Sequence, residues 1–536
     1  MLIMIRIRQV KVEVSKDSFD TLKKKVLNIL KVNNSDVKNI SIAKKSIDAR
    51  DKNNVLYNYE VNVDVKLEDK VLKKVRSKDV VKFEEVHYKE PISGVLELNN
   101  RPVVVGAGPC GLFCALILAQ NGYKPIIIER GEKVEDRINS VNTFWEKGVL
   151  NPNSNVCFGE GGAGTFSDGK LNTLVNDKEG RIKKVYDTFI ECGANEDISY
   201  DSKPHIGTDV LREVIVNLRN KIIGLGGEFL FNSTVTDINV VDDKINSIVI
   251  NNGRHLDCNV LVLAIGHSAR DTFKMLFSHH LKMESKPFAV GVRIEHKQSM
   301  INESQYGKFS DGLPPASYKL TSKASNGRGV YTFCMCPGGF VVNSSCEEGH
   351  LIVNGMSNYK RDEENSNSAV VVTVSKSDFG PYPLDGIEFQ RRLENLAFRA
   401  GNGEIPVQLF KDYKNNTMGT KFSKVNPLFK GAYSFANLNE IFPYYINDAL
   451  KEGITDMGKK IKGFDSDDAI LAGVESRTSS AVRIERGEDF VSSIYGVYPA
   501  GEGAGYSGGI TTSAVDGIKV AEKIIEKYSN KIINML

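Results

Sequence analysis

The chain has 536 residues, several times the usual single-domain length, so two or three domains are expected. Hydrophobic residues make up 41% and charged residues 26%, a globular balance that excludes disordered and fibrous classes. The net charge of +3, from 70 basic and 67 acidic residues, is too small to mark a nucleic-acid protein. Its distribution is uneven: residues 1–90 carry 21 Lys and Arg against 14 Asp and Glu. That basic face reads first as a solvated surface, and residues 1–95 keep a nucleic-acid contact open. The longest apolar stretches, Leu112–Ala119 and Val260–Ile265, fall far short of the ~20 residues of a membrane span. The alternating apolar and basic start does not have the order of a secretory signal. Eight cysteines without a pairing pattern suit a reducing compartment, so a cytoplasmic protein with no membrane partner is expected.

Taken in chain order, residues 3–13 alternate as a strand, and Phe19, Leu22, Val26 and Ile29 recur at helical spacing. Strands are expected over Val37–Ala43 and Asn54–Val65, then a helix over Glu68–Arg76 and a strand over Val80–Val86. This β-α-β-β-α-β order predicts a ferredoxin-like α+β domain over residues 1–95, with a linker up to Pro102. The character changes at Arg101. Val103–Val105 is a short buried strand, followed by the loop Gly106-Ala-Gly108-Pro109-Cys-Gly111, a helix over Leu112–Asn121 and a strand over Ile126–Ile128 ending in Glu129-Arg130.

A strand, a glycine loop, a helix and a second strand within some thirty residues open a dinucleotide-binding α/β domain. Gly106 permits the tight turn, Gly108 admits a pyrophosphate and Gly111 lets helix and strand pack closely. Unpaired N–H groups at the helix start, next to Pro109, would meet the phosphates. Glu129 would accept from an adenosine ribose, with Arg130 beside it. Cys110 and Cys114 share a helical face and read as core filler rather than as a redox pair. A second glycine fingerprint is missing, because Gly224-Leu-Gly226-Gly227 runs straight into a strand. Any NAD(P)H is therefore expected to visit transiently rather than to own a domain.

Two later stretches favour FAD. A hairpin-forming region containing Val235 leads to Val262-Leu-Ala-Ile-Gly266-His267, which resembles the second signature of two-dinucleotide-binding-domain flavoproteins. Gly496-Val-Tyr-Pro-Ala-Gly501-Glu502-Gly503 through Gly508-Gly509-Ile510 resembles their closing FAD motif, with Glu502 in place of the usual aspartate. A helix begins at Ile510, and its N-terminus would face the flavin pyrimidine edge. The segments Ser46–Arg50, Cys157–Lys170, Lys203–Asp209, Gly291–His296 and Phe333–Gly339 complete a resemblance to bacterial FAD-dependent dehydrogenases of unassigned substrate, the NAD(FAD)-utilising dehydrogenase-like flavoproteins. The resemblance covers nearly the full length. It implies noncovalent FAD and an α/β fold: a glutathione-reductase-type FAD-binding Rossmann domain over 101–285 and 474–536, with a mixed-sheet substrate domain inserted at 286–473. In related flavoproteins a stretch placed like Gly159–Gly169 passes over the flavin ring, so Gly161 and Gly162 are expected to line it, and Lys170 to donate to the flavin or to a substrate anion.

For chemistry, Cys334 and Cys336 lie two apart in an expected strand, so both thiols would share a face as a dithiol relay, against a reading as buried strand cysteines. His267 is a candidate acid–base. Arg293 and His296 are candidates for an anionic substrate, while His205 and Asp209 read as structural, with Thr208 or Asp209 capping a helix. The stretch Glu475–Ser480 is a further candidate lining. No Cys or His spacing suggests a metal. The expected function is a FAD-dependent oxidoreductase passing hydride or electrons between flavin and a small-molecule substrate. A flavin-dependent hydroxylase, a flavin-dependent RNA-binding or RNA-modifying factor acting through residues 1–95, and a redox sensor are the alternatives.

Overall fold

The computed structural model describes residues 3–173 and 175–532. The N-terminal unit runs β1 (Ile3–Glu13), α1 (Phe19–Leu30), β2 (Val37–Asp48), β3 (Leu56–Val65), α2 (Glu68–Val75) and β4 (Val80–Glu84). Its sheet has the order β2-β3-β1-β4, with every neighbouring pair antiparallel. Strict alternation of buried and half-buried residues along β3 turns Tyr57, Tyr59, Val61 and Val63 to one face, where Leu22 and Val26 of α1 cover the sheet. Ser18 starts α1 by accepting the Thr21 N–H, and Lys31 ends it in the left-handed region. Part of the expected linker is a strand, β5 (Leu96–Leu98), which pairs with the C-terminal strand Tyr528–Ile532.

The central unit is a five-stranded parallel sheet. Its strands are β6 (Val103–Val105), β7 (Ile126–Ile128), β8 (Glu228–Leu230), β9 (Leu261–Leu263) and a last one, numbered β14 below (Val497–Pro499). The spatial order is β14-β9-β6-β7-β8. Helix α3 (Pro109–Gln120) has no polar face, because it is sandwiched between this sheet and the C-terminal helix α4 (Ile510–Lys527). Residues Cys110 to Ala119 are all buried.

Residues 286–475 build a seven-stranded mixed sheet around β10 (Phe288–Lys297), β11 (Gly329–Cys336), β12 (Asn365–Val374) and β13 (Ile470–Glu475). From one edge the order is Thr321–Lys323, β11, β12, β10, β13, Ile405–Leu409 and Tyr433–Phe435. Strand β13 crosses the boundary expected at 473, so Glu475 belongs to this sheet. Among the described residues no helix is long and apolar enough to cross a membrane, and no group of His, Cys, Asp and Glu could hold a metal ion.

Candidate functional site

The ends of β6 and β9, the loop after Cys157, the edge of β11 and the start of α4 enclose one large cleft of about 1290 Å³. Typical ligand pockets span about 300–1,000 Å³, so a dinucleotide and a second small molecule fit together.

The glycines of the first loop are required for different reasons. A Cβ on Gly106 would stand 2.3 Å from the Ala264 carbonyl oxygen, and one on Gly111 would stand 1.9 Å from the Gly106 carbonyl oxygen. Gly108 meets nothing closer than 3.8 Å and opens on the cleft. Helix α3 starts there with Pro109 at its first position, leaving the Cys110 and Gly111 N–H groups without intrahelical partners. Gly111 itself lies behind the cleft wall, as does Gly161, whose N–H donates to the Ala107 carbonyl at 2.8 Å. Gly162 brings the second loop over Gly108.

Glu129 is buried at the end of β7 and accepts from the backbone N–H groups of Ala107, Gly131 and Gly159 at 2.8, 2.9 and 3.0 Å. It ties the two glycine loops together, and a carboxylate with about four acceptor sites retains one for a hydroxyl. Arg130 pairs with Asp271 at 2.8 Å and lies over the Phe158 ring. Val235, Gly266 and His267 line the same cleft.

The closing segment meets the first loop directly. A Cβ on Gly501 would stand 2.9 Å from the Cys110 Cβ, and one on Gly517 would stand 2.1 Å from the Cys110 carbonyl oxygen. The Gly266 turn is stacked on Gly503 in the same way. Gly508 and Gly509 face open space before Ile510 begins α4, whose first turn carries no acidic residue and lines the cleft, with the Glu502 carboxyl beside the Gly509 N–H at its cap. Cys110 and Cys114 are buried free thiols within this packing. Asp516 accepts the Gly501 N–H at 2.7 Å and is held by Arg486 at 2.7 Å. Neither Asp516 nor Arg486 was singled out from the sequence, because one helix turn past the motif carries no pattern of its own.

Burial pushes the Glu502 carboxyl up to about 7, with Lys286 pulling the other way. His267 Nε2 lies 3.9 Å from Glu502 Oε1. Burial, with Arg477 and Arg270 behind it, pushes the His267 imidazole down to about 3. The ring is thus neutral near pH 7 and is a hydrogen-bonding group there rather than the proton donor.

Several expectations are corrected. The strand alternation that would place Cys334 and Cys336 on one face breaks at a bulge between Phe333 and Cys336, where Cys334 takes φ +43°. Cys334 is exposed to the cleft, and Cys336 turns inward with its Sγ 3.4 Å from the Cys334 carbonyl oxygen. Lys170 bonds the Met335 carbonyl at this bulge and pairs with Asp168, which Arg361 also holds. It latches the glycine loop to the substrate-side sheet. Arg293 is fully buried and engages Glu475 at 3.0 Å, Asn367 at 2.6 Å and the Cys334 carbonyl at 3.2 Å, so it is no free anion site. His296 donates from Nε2 to the Phe464 carbonyl at 2.7 Å inside the core. His205 contacts the Tyr359 carbonyl, and Asp209 accepts the Tyr359 N–H. The helix cap there is Gly207, with Thr208 and Asp209 already in the first turn.

Residues 287–478 match the family described as FAD-dependent protein, C-terminal domain-like, and residues 4–64 match a domain of unknown function. An uncharacterised protein of Clostridium beijerinckii is 49% identical over 532 residues, spanning 98% of this chain and 99% of its own. Among solved structures, the glycine oxidase of Bacillus cereus aligns at 12% identity over 80% of this chain and 95% of that one, with TM-score 0.31. The L-proline dehydrogenase of P. horikoshii aligns at 12% identity over 80% and 93%, with TM-score 0.36.

Proposed function

Because the chain belongs to the family of FAD-dependent proteins, we propose that its cleft holds one FAD between the Gly106–Gly111 loop and the Gly501–Ile510 segment. FAD is the cofactor, and the chemistry it supplies when bound is hydride and electron transfer, which makes the protein an oxidoreductase. The observation that carries the placement is the contact of Gly501 with Cys110, which brings stretches near positions 110 and 501 side by side into the wall of one cavity. In this reading the FAD domain is of the glutathione-reductase type, split over 101–285 and 476–536, and residues 286–475 face the substrate. The strand order of residues 1–95 supports a ferredoxin-like sandwich.

The chain's own groups then divide the work. The free amides at the start of α3 receive the pyrophosphate, and Glu129 offers its remaining lone pair to the ribose. Glu502 would hold the ribityl chain, with its carboxyl pushed up to about 7 by burial. The first-turn amides of α4 stabilise negative charge on the cofactor. Neutral His267 lies beside Glu502, 3.9 Å away. Cys334, exposed at the bulge, lies with Glu475 on the wall where a small-molecule substrate would sit. A nicotinamide would act by entering this open cleft.

Anaerobic mixing of the FAD-loaded protein with NADH, NADPH and a panel of small metabolites tests the reading. Bleaching of the flavin band by one member is expected. Retention of full colour with every member, while dithionite bleaches the same sample, would contradict substrate-driven reduction.

A further inference from the structure

A second pair of cysteines lies in the cleft wall, and the cofactor argument makes no use of it. Cys157, in the loop before Gly159, lines the cleft and is half-buried, and Cys346 is 2% exposed. Though 189 positions apart in sequence, they share an apolar nest with Phe158, Ala269 and Ile352. Cys157 packs against Cys346 in this nest, and its Sγ lies 3.5 Å from the Ser344 carbonyl oxygen. Arg477 Nη1 donates to Cys346 Sγ at 2.9 Å and to Ser268 Oγ at 2.9 Å. Ser268 in turn bonds His267 Nδ1 at 3.2 Å.

Buried charge surrounds the pair. Arg270 and Arg477 are both buried, and they share the buried carboxylate of Glu394 at 2.8 to 3.0 Å. Glu347, 23% exposed, bridges Arg270 at 3.0 Å and Arg391 at 2.9 Å. Arg391 also pairs with Glu388 at 3.2 Å, so three guanidinium groups face three carboxylates, and neutral His267 adds no charge. The link from this cluster to the pair is Arg477, whose guanidinium reaches Cys346 Sγ and favours negative charge on sulfur there. Neighbouring Cys346 holds the Cys157 thiol down at about 6 against burial, with Arg477, Ser268 and Arg137 acting in the same direction.

We propose that Cys157 and Cys346 form a dithiol site for low-molecular-weight disulfides, with the cleft-facing Cys157 as attacking thiolate and the buried Cys346 as resolving thiol. Cys157 Sγ attacks one sulfur of the disulfide RSSR. That sulfur–sulfur bond breaks, and the departing RS⁻ takes a proton from water, leaving a mixed disulfide on Cys157. Cys346 then loses its proton, its thiolate stabilised by Arg477, and attacks Cys157 Sγ. A second RS⁻ leaves and is protonated. The two protein thiols are oxidised by two electrons to one disulfide, and RSSR is reduced to two RSH.

The test uses the full-length FAD-loaded protein and oxidised glutathione, read by peptide mass mapping. The expected result is one Cys157–Cys346 cross-link and two glutathiones released per chain. Cys346→Ser should stop at a glutathione adduct on Cys157, and Cys157→Ser should form neither product. Iodoacetamide should alkylate Cys157 with a midpoint near pH 6, and Arg477→Met should raise that midpoint. The mapping and the alkylation profile of the unmodified chain decide the matter even if a variant fails to fold. An ordinary thiol midpoint near pH 8.5 at Cys157, or glutathione found on Cys334 with Cys157 and Cys346 still free, would overturn the proposal.

Discussion

Gly111→Ala gives the sharpest test of how the first loop is built. The added Cβ would lie 1.9 Å from the Gly106 carbonyl oxygen, 3.0 Å from its carbon and 3.3 Å from Val104 Cγ1. Two of these neighbours are backbone of the loop itself, so no side-chain rotation relieves the clash. Overpacking of this kind costs about 1–3 kcal/mol, against a gain of about 1 kcal/mol in helix propensity from Gly to Ala. The relief available is displacement of the 106–108 turn, which is the surface proposed to meet the pyrophosphate. If most of the strain appears in binding, FAD affinity should fall about 5- to 150-fold. The far-UV circular dichroism should stay native. Fluorescence quenching of FAD titrated with protein measures the affinity, and Gly148→Ala is the control. Gly148, unlike Gly111, has positive φ (+70°), yet a Cβ there meets nothing within 4 Å. Wild-type affinity in Gly111→Ala, or equal losses in both variants, would refute the reasoning.

Glu129→Gln should weaken FAD binding by about 2 kcal/mol, because an amide N–H₂ would replace an oxygen that accepts backbone N–H groups. Limited proteolysis should then cut between 157 and 166 sooner than in wild type. Arg293→Met should lower unfolding free energy in urea by about 3–5 kcal/mol by stranding the buried Glu475, and adding Glu475→Gln should recover much of the loss. His296 is pushed down to about 4 by burial, below its ordinary value near 6.5. Protons therefore favour the unfolded chain, and the stability the neutral ring contributes is complete above pH 6.5 and lost as pH falls towards 4. Neighbouring Glu295, pushed up to about 7 by burial, acts in the opposite sense, so the measurement is the difference in urea midpoints between wild type and His296→Gln across that range. A constant difference would contradict the assignment.

The sequence made much of this legible where the signal is local. Val103–Val105, the three glycines and Ile126–Ile128 announce strand, turn, helix and strand because each depends on neighbours within a few residues. The alternation in β3 is readable for the same reason. The closing segment was recognisable by its glycines, but its contact with Cys110 is tertiary. The bulge at Cys334 defeated a sound periodicity argument. Its positive φ is imposed on a non-glycine residue, where Arg293 and Lys170 grip the neighbouring carbonyls. The burial of Arg293 and His296 was equally hidden, since a strand with polar residues looks the same whether it faces a cleft or a second layer of protein. Cys157 and Cys346 had no sequence signal at all. Only the fold brings 157, 268, 346 and 477 together.

The central claim is that one FAD molecule is enclosed by polypeptide from both ends of the catalytic region. A crystal structure of the FAD-loaded protein tests it most directly. The account predicts the pyrophosphate at Gly108 and the Cys110 amide, the ribose at Glu129 and the ring system at Gly509 and Ile510. A cofactor bound elsewhere, or a protein that remains colourless after incubation with excess FAD, would contradict it.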